Sequence, residues 1–197
     1  MTDYPNWFNH TAKSNFEKFL TSLAGQDSLK FLQLGVYTGD ATEWLCKNVL
    51  TGVDVLLHDV DTWKGSDEVA HESIDFNEVH NIYVNKIADF DNVMFYKMST
   101  YDYLIDEFTR YRQYDFIYID ADHTTVGVLM DAELSWPLLK SGGIMAFDDY
   151  KWGPNFPPDL TPALGIDLFL GRHEGEYETL VINEQVWIRK HDNAQIA

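Results

Sequence analysis

Acidic side chains gather at two places in this sequence, each directly after a short apolar run. Asp120 and Asp122 follow the first of these runs, and Asp148 and Asp149 follow the second. If the runs are neighbouring parallel strands, their carboxyl ends bring these carboxylates to one edge of the sheet. Carboxylates gathered at one edge repel one another and favour a bound cation, and hard oxygen ligands suit Mg²⁺, Ca²⁺ or Mn²⁺. We therefore predict a divalent-cation site, with ordinary clustering in an acidic chain as the alternative.

His123 comes directly after the first acidic pair. An imidazole at this position can act as a general base or orient a neighbouring carboxylate. It can also simply be a residue at the N-terminus of a helix. The sequence leaves these three roles open.

A glycine turn follows the first predicted strand, where Gly35 and Gly39 are separated by three residues. Glycine lets the backbone approach a ligand closely, and the N-terminus of the next helix offers free N–H groups. The middle glycine of a dinucleotide fingerprint is missing, which disfavours pyrophosphate binding. A carboxylate after the second strand can accept hydrogen bonds from a ribose. We favour Asp61 over Asp59 for this role, because Asp59 is expected within the strand.

Short apolar runs alternate with helical patterns along most of the chain. Seven runs indicate strands, at 29–34, 53–57, 92–97, 116–119, 144–147, 178–182 and 185–189. Strands that alternate with helices predict an α/β fold with a doubly wound, mostly parallel seven-stranded sheet. The last two runs are split by Asn183 and Glu184 and predict an antiparallel hairpin. A helical pattern over 126–139, with the glycines of 141–143 as its stop, is expected before the fifth strand.

The composition excludes several classes of protein. The chain has 197 residues and a formal net charge of −18, which argues against a nucleic-acid partner and against an anionic membrane surface. There is no apolar stretch of membrane-spanning length, and the first residues lead us to expect no signal peptide. A single cysteine, Cys46, cannot form an internal disulfide. We expect a soluble cytoplasmic protein with a small-molecule partner, and a homodimer is left open.

Several segments together resemble a known family. Residues 32–39 resemble motif I of class I S-adenosylmethionine-dependent methyltransferases, and residues 60–65 resemble their ribose-binding strand end. Residues 119–123, followed by 141–143 and 148–150, are similar to small-molecule O-methyltransferases of the macrocin/novobiocin type and, more distantly, to catechol O-methyltransferase. The resemblance covers nearly the whole chain. It implies a Rossmann-like domain over 29–191, after an N-terminal helical segment (1–28) and before a short tail (192–197).

The resemblance also implies roles for individual residues. Gly35 and its neighbours would contact the methionine portion of S-adenosylmethionine, Asp61 the ribose and Ser99 the adenine. The complete implied cofactor set is Gly35, Tyr37, Thr38, Gly39, Asp61, Ser99 and Asp120. Asp120, Asp148 and Asp149 match the metal ligands of the metal-dependent branch, for which Mg²⁺ is the first choice. Asp122 matches the proposed general base, with His123 as the alternative.

One departure from the family is Gln33, where a glutamate is common; the loss of that charge predicts weaker cofactor binding. The function implied is methyl transfer from S-adenosylmethionine to a small-molecule hydroxyl. A non-catalytic cofactor- or metal-binding protein of the same fold is the alternative. The loop that holds Trp152 and Phe156 is expected to shape the acceptor pocket, with Trp7 and Phe8 as a lid, or else these are surface aromatics.

Overall fold

The computed structural model describes residues 4–65, 74–110 and 112–192, and within them a seven-stranded sheet dominates the architecture. The strand order is β3-β2-β1-β4-β5-β7-β6. The strands are β1 (Lys30–Leu34), β2 (Leu56–Asp61), β3 (Val93–Lys97), β4 (Tyr114–Ile119), β5 (Leu139–Phe147), β6 (Tyr177–Ile182) and β7 (Val186–Lys190). The first five are parallel, and β7 pairs antiparallel with both β5 and β6. The predicted fold class is confirmed.

Helices cover both faces of this sheet, as a parallel sheet with apolar strands requires. They are α1 (Lys13–Leu20), α2 (Asp40–Asn48), α3 (Phe76–Ile87), α4 (Thr100–Arg110), α5 (Thr125–Ser135) and α6 (Pro162–Arg172). One core cluster joins α4, α5 and α6 to the sheet, and a second joins α1 and α2 to the opposite face. A smaller cluster lies under α3. Among the described residues, no helix is both long and apolar enough to cross a membrane.

Three details differ from the sequence expectations. The fifth strand begins at Leu139, because α5 ends at Ser135 and a 3₁₀ turn, Trp136–Leu138, follows it. Pro137 lies in this turn and cannot continue an α-helix, so Gly142 and Gly143 lie inside the strand and are not a helix stop. The second strand lies later than predicted, at Leu56–Asp61.

The third detail is α3, which the apolar runs did not reveal. Its signal in the sequence is Asp75, whose side chain accepts hydrogen bonds from the backbone N–H groups of Asn77 and Glu78. An aspartate followed three residues later by a glutamate is the pattern of a helix N-terminus. The tail predicted at 192–197 falls outside the described residues except for Asp192, and so do residues 1–3 of the N-terminal segment.

A buried carboxylate ties α2 and α3 to the sheet beneath the glycine turn. Asp59 is fully buried on β2 and accepts hydrogen bonds from Gln33 (2.8 Å), Thr42 (2.7 Å) and Tyr83 (2.8 Å). Burial raises the pKa of Asp59 to about 6, although these three donors act in the opposite direction. Asp59 therefore helps to support the glycine turn. Its position within β2 agrees with the expectation from the sequence.

Gly35 marks the closest approach between the ends of β1 and β4. Its φ is +82°, and a Cβ atom built there would lie 1.9 Å from the backbone oxygen of Asp120. Neither the conformation nor the space suits a residue with a side chain. A hydrogen bond from Asp120 N to Leu34 O (2.8 Å) joins the two strand ends, and Gly35 N donates to Val60 O of β2 on the other side (2.8 Å).

We predict that Gly35→Ala lowers the free energy of unfolding by about 3 kcal/mol or more, because the strand ends must separate and the backbone is strained. Urea denaturation measures this change. Gly171→Ala is the matched control: apart from its chain neighbours and the backbone of its own helix, no atom lies within 4 Å of a Cβ there, and alanine favours the helix by up to about 1 kcal/mol. Equal stability of the Gly35 variant and wild type would show that β1 and β4 are not packed this closely.

A second prediction concerns Tyr83→Phe, which removes one donor to Asp59. Asp59 keeps its proton to a higher pH in the folded than in the unfolded chain, so its contribution to stability falls between about pH 4 and pH 6. The substitution raises that pKa further. We expect a loss of about 1.5–3 kcal/mol at pH 8 and a smaller loss at pH 5.

Urea denaturation at the two pH values measures the effect. In an Asp59→Asn background the same substitution should cost an equal amount at both pH values. A loss in the Asp59 wild-type background that does not change with pH would contradict the assignment.

Candidate functional site

The candidate site lies at the carboxyl edge of the sheet, where the strand order reverses between β1 and β4. Register pairs Leu34 with Val60 on one side and with Ile119 on the other, and Ile119 with Phe147. The residues that follow these positions are therefore brought to one edge. Ligands of doubly wound sheets bind in the crevice at this point. The first geometric expectation from the sequence, a shared edge for the glycine turn and the acidic residues, agrees with the register.

Asp61 holds the glycine turn in shape. Its Oδ2 accepts hydrogen bonds from the backbone N–H groups of Val36 (2.9 Å) and Tyr37 (3.0 Å), and its Oδ1 accepts one from Trp63 N (2.7 Å). A carboxylate has about four acceptor positions, so one remains for a further donor. The sequence did not reveal that Asp61 binds the turn, and its predicted contact with a ribose stays a prediction.

The other residues of the turn are fixed by local contacts. Tyr37 has a φ of +50°, and its ring packs against Trp7 with centroids 4.6 Å apart. Thr38 donates to Asp40 Oδ2 (2.8 Å), whose other oxygen forms an ion pair with Lys86. Gly39 has a φ of +77° and immediately precedes α2, whose first N–H groups face the edge. The turn is thus a rigid backbone cradle, which is what binding at a helix N-terminus requires.

Ser99 lies after β3 and begins α4. Its hydroxyl accepts from Asp102 N (3.1 Å), which is an N-cap hydrogen bond, and donates to Asp102 Oδ2 (2.6 Å). This cap fixes the start of α4 beside the second and third strands. The predicted contact of Ser99 with an adenine is not tested by this arrangement.

Three side chains of the kinds that bind metal ions converge after β4 and β5, and we call these three residues the acidic group. Asp120, His123 and Asp149 each offer an atom within 4.8 Å of the others. His123 Nε2 lies 3.0 Å from Asp149 Oδ2 and 4.0 Å from Asp120 Oδ1. Burial raises the pKa of Asp120 well above its usual value, and the negative charge of Asp148 adds to this shift. A positive ion in the group would relieve both effects.

Asp148 lies next to this group but is not one of its three members. Its Oδ2 accepts a hydrogen bond from the Tyr118 hydroxyl, and its Oδ1 accepts one from the backbone N–H of Asp149 (2.9 Å). Burial, together with the charge of Asp149, raises the pKa of Asp148 to about 6. The structure therefore gathers two of the three predicted ligands, Asp120 and Asp149, and adds His123 beside them.

Asp122 lies outside the group as well. It is exposed, its Oδ1 accepts a hydrogen bond from Thr124 N (2.7 Å), and its carboxyl group lies against Gly127 at the start of α5. An acid at this position stabilises the helix N-terminus. Of the two residues considered as the general base, only His123 touches another member of the acidic group.

Aromatic rings border the site on two sides. Trp152 packs on His123 with ring centroids 4.9 Å apart, and Phe156 stacks on Trp152 at 5.2 Å. Trp7 covers Tyr37 of the glycine turn, whereas Phe8 packs against Phe16. The loop after β5 thus supplies an apolar wall next to the acidic group, and Trp7 reaches the turn while Phe8 belongs to the core cluster of α1.

Comparison with known proteins gives a consistent result. A family model described as a methyltransferase domain matches residues 32–150, which is more than half of the chain. An uncharacterized protein of Acanthamoeba polyphaga mimivirus is 27% identical over 181 residues, which is 85% of this chain and 74% of that protein.

Two solved structures are similar in fold. An O-methyltransferase from Bacillus cereus, solved in complex with SAH, has a TM-score of 0.65 at 17% identity and covers 95% of this chain and 82% of its own. MycE, a methyltransferase of the mycinamycin biosynthetic pathway solved with Mg, SAH and mycinamycin VI, has a TM-score of 0.63 at 14% identity. This chain is covered completely by that match but spans 52% of the MycE chain.

The family match and the fold agree with the order of the motifs in the sequence, from the glycine turn to the acidic residues after β5. The prediction that the chain is a methyltransferase is confirmed at the level of its family. The chain belongs to the methyltransferase-domain family and has the class I methyltransferase fold.

Proposed function

We propose that this protein transfers a methyl group from S-adenosylmethionine to a hydroxyl of a small molecule, with a divalent cation at the acidic group. The observation that carries the proposal is the position of Asp120, His123 and Asp149 at the same sheet edge as the glycine turn. The glycine turn can hold a cofactor, and the acidic group can hold an acceptor. The B. cereus O-methyltransferase and MycE, both solved with SAH, support this choice of cofactor.

The cofactor would lie along the glycine turn. The donor set fits: the first backbone N–H groups of α2, directly after Gly39, have no partner within the helix, and Asp61 keeps one acceptor position beyond the three it uses for the turn and Trp63. The residues proposed to hold it are Gly35, Tyr37, Thr38, Gly39, Asp61, Ser99 and Asp120. When bound, S-adenosylmethionine supplies an electrophilic methyl group. Gln33, which stands where the family often has a glutamate, is fully buried and donates to Asp59. The carboxylate beside this position is therefore that of Asp59 on β2.

The cation would be held by Asp120 and Asp149. The two carboxylates are oxygen ligands that divalent ions accept, and a cation would offset the rise in the pKa of Asp120 that burial and the negative charges of Asp148 and Asp149 cause. MycE was solved with Mg, which makes Mg²⁺ the first ion to test. Asp148 remains a proposed third ligand, since each of its oxygens can still accept one more bond. When bound, the cation lowers the pKa of an acceptor hydroxyl.

The protein's own residues would then orient the acceptor and take its proton. Trp152 and Phe156 border the acidic group and keep water from that side. With its ring proton on Nδ1, His123 can accept the hydroxyl proton at Nε2, and Asp149 Oδ2, 3.0 Å away, then stabilises the resulting imidazolium. Asp122 is the other proposed base, but it is occupied with the start of α5. Alignment of the two reactants is worth up to about 7–11 kcal/mol of the barrier.

The acceptor is proposed to be a small molecule. A net charge of −18 opposes approach to the phosphates of a nucleic acid. MycE was solved with mycinamycin VI, which supports a small-molecule acceptor for the fold, although this chain spans about half of MycE. An apolar wall beside the acidic group favours an acceptor that carries an apolar surface next to its hydroxyl.

Calorimetry with SAH tests the cofactor, and methyl transfer to a library of small hydroxyl compounds tests the reaction. We expect SAH to bind and turnover to fall by about 100-fold or more in chelator. Asp149→Ala should cause a loss of the same size, whereas Asp159→Ala, an exposed acid in the following loop, should not.

Absence of SAH binding would refute the enzyme assignment. Full turnover in chelator would refute the proposed cation site but not the methyltransferase assignment. Binding without any methyl transfer would favour the non-catalytic alternative.

Substitution of each candidate base tests the proton transfer. We expect His123→Gln to lower kcat by about 100-fold or more, and Asp122→Asn to lower it by less than about 10-fold. Both variants should bind SAH as wild type does. A larger loss for Asp122→Asn than for His123→Gln would assign the base to Asp122.

A further inference from the structure

A line of buried polar side chains connects the N-terminal helix with the acidic group. Asn15 of α1 donates to Gln185 Oε1 (2.8 Å), Gln185 Nε2 donates to the Tyr118 hydroxyl (3.4 Å), and Tyr118 donates to Asp148 Oδ2. Asn15, Gln185 and Tyr118 are at most 4% exposed. The line crosses three elements that are far apart in the sequence.

Each link in this line has the same direction. Gln185 Oε1 accepts from both Asn15 and Trp187 Nε1 (2.8 Å), so the amide must present its NH₂ group to Tyr118. The Tyr118 oxygen then accepts, and its only proton is directed at Asp148. A hydroxyl in this setting cannot rotate without leaving a buried polar group unpaired, which costs free energy. The direction of the final hydrogen bond is therefore determined by the residues behind it.

The position of Asp148 in turn determines where the backbone of Asp149 lies. With one oxygen held by Tyr118, the other accepts the backbone N–H of Asp149 (2.9 Å). Asp149 adopts a φ of +57°, a left-handed conformation that needs support in a residue other than glycine. In this conformation its carboxylate lies 3.0 Å from His123. The geometry of the acidic group thus depends on a contact made from below the sheet edge.

We propose that Tyr118 and Gln185 are positioning residues of the cation site, which act through Asp148 on Asp149. This inference rests on the proposed function, because it assigns a purpose to the cation group. Outer hydrogen-bond partners of metal ligands affect metal affinity by about 10- to 100-fold when they are removed. Asn15 extends the same support to α1, so the N-terminal helix contributes to the site without touching it.

The contrasting interpretation is that Tyr118 contributes only to stability. Tyr114 offers a matched comparison on the same strand. It is fully buried, and its hydroxyl donates to the carboxylate of Glu107 (2.9 Å). Tyr114→Phe and Tyr118→Phe therefore remove the same kind of hydrogen bond, but only the second one leads to the acidic group.

The experiment measures Mn²⁺ binding to the full chain by electron paramagnetic resonance, with SAH affinity measured on the same samples. We expect Tyr118→Phe to weaken Mn²⁺ binding by about 10-fold or more and to leave SAH affinity within about twofold. Tyr114→Phe should leave both affinities near wild type. Asn15→Ala, a second variant farther along the line, should weaken Mn²⁺ binding in the same direction but less.

The outcomes separate this inference from the proposed function. Wild-type Mn²⁺ affinity in Tyr118→Phe would overturn the positioning role and leave the cation site intact. Equal weakening by Tyr118→Phe and Tyr114→Phe would also overturn it, because a general loss of stability would then be the cause. A wild-type protein that binds SAH but no Mn²⁺ would overturn both the cation site and its positioning, while the cofactor assignment would stand.

Discussion

The approach of the β1 and β4 ends is the constraint on which the rest of the site depends. Strand order reverses there, and the backbone oxygen of Asp120 occupies the space that a side chain at Gly35 would need. This contact places the glycine turn and the acidic residues on adjacent strands at one edge. Cofactor and acceptor can then be held side by side, which is the arrangement a transfer reaction needs.

A strongly acidic chain must stabilise the carboxylates that this edge brings together, and it does so by different means. Asp61 is stabilised by hydrogen bonds from three backbone N–H groups, and Asp122 by one at the start of α5. Asp148 depends on Tyr118 and Asp149 N. Asp120 and Asp149 have His123 between them. These two are the carboxylates at this edge for which a bound cation would add most, because the others already have backbone or hydroxyl donors.

The polar residues that support the site lie within otherwise apolar strands. Gln33, Asp59 and Tyr118 occupy one register level across β1, β2 and β4, one step below the edge. They share the sheet face that α1 and α2 cover, and each is hydrogen-bonded there. Buried polar side chains that are hydrogen-bonded to one another or to their neighbours hold the groups above them in place. The support for both halves of the site thus comes from one row of the sheet.

The sequence by itself determined the fold class, the order of the elements and the edge at which the acidic residues meet. These follow from local patterns: apolar runs, glycine spacing, and the rule that parallel strands place their carboxyl ends together. Helix α3 and the turn at Pro137 were missed, although Asp75 and Pro137 themselves carry local signals. Only the tertiary structure decided which way each side chain turns. Asp148 faces Tyr118, a partner from β4 that is 30 residues away in the sequence, whereas Asp122 faces the start of the helix that directly follows it. Asp149 is distant from Asp120 and His123 in the chain and no spacing in the sequence relates it to them, so the three side chains meet only in the folded protein.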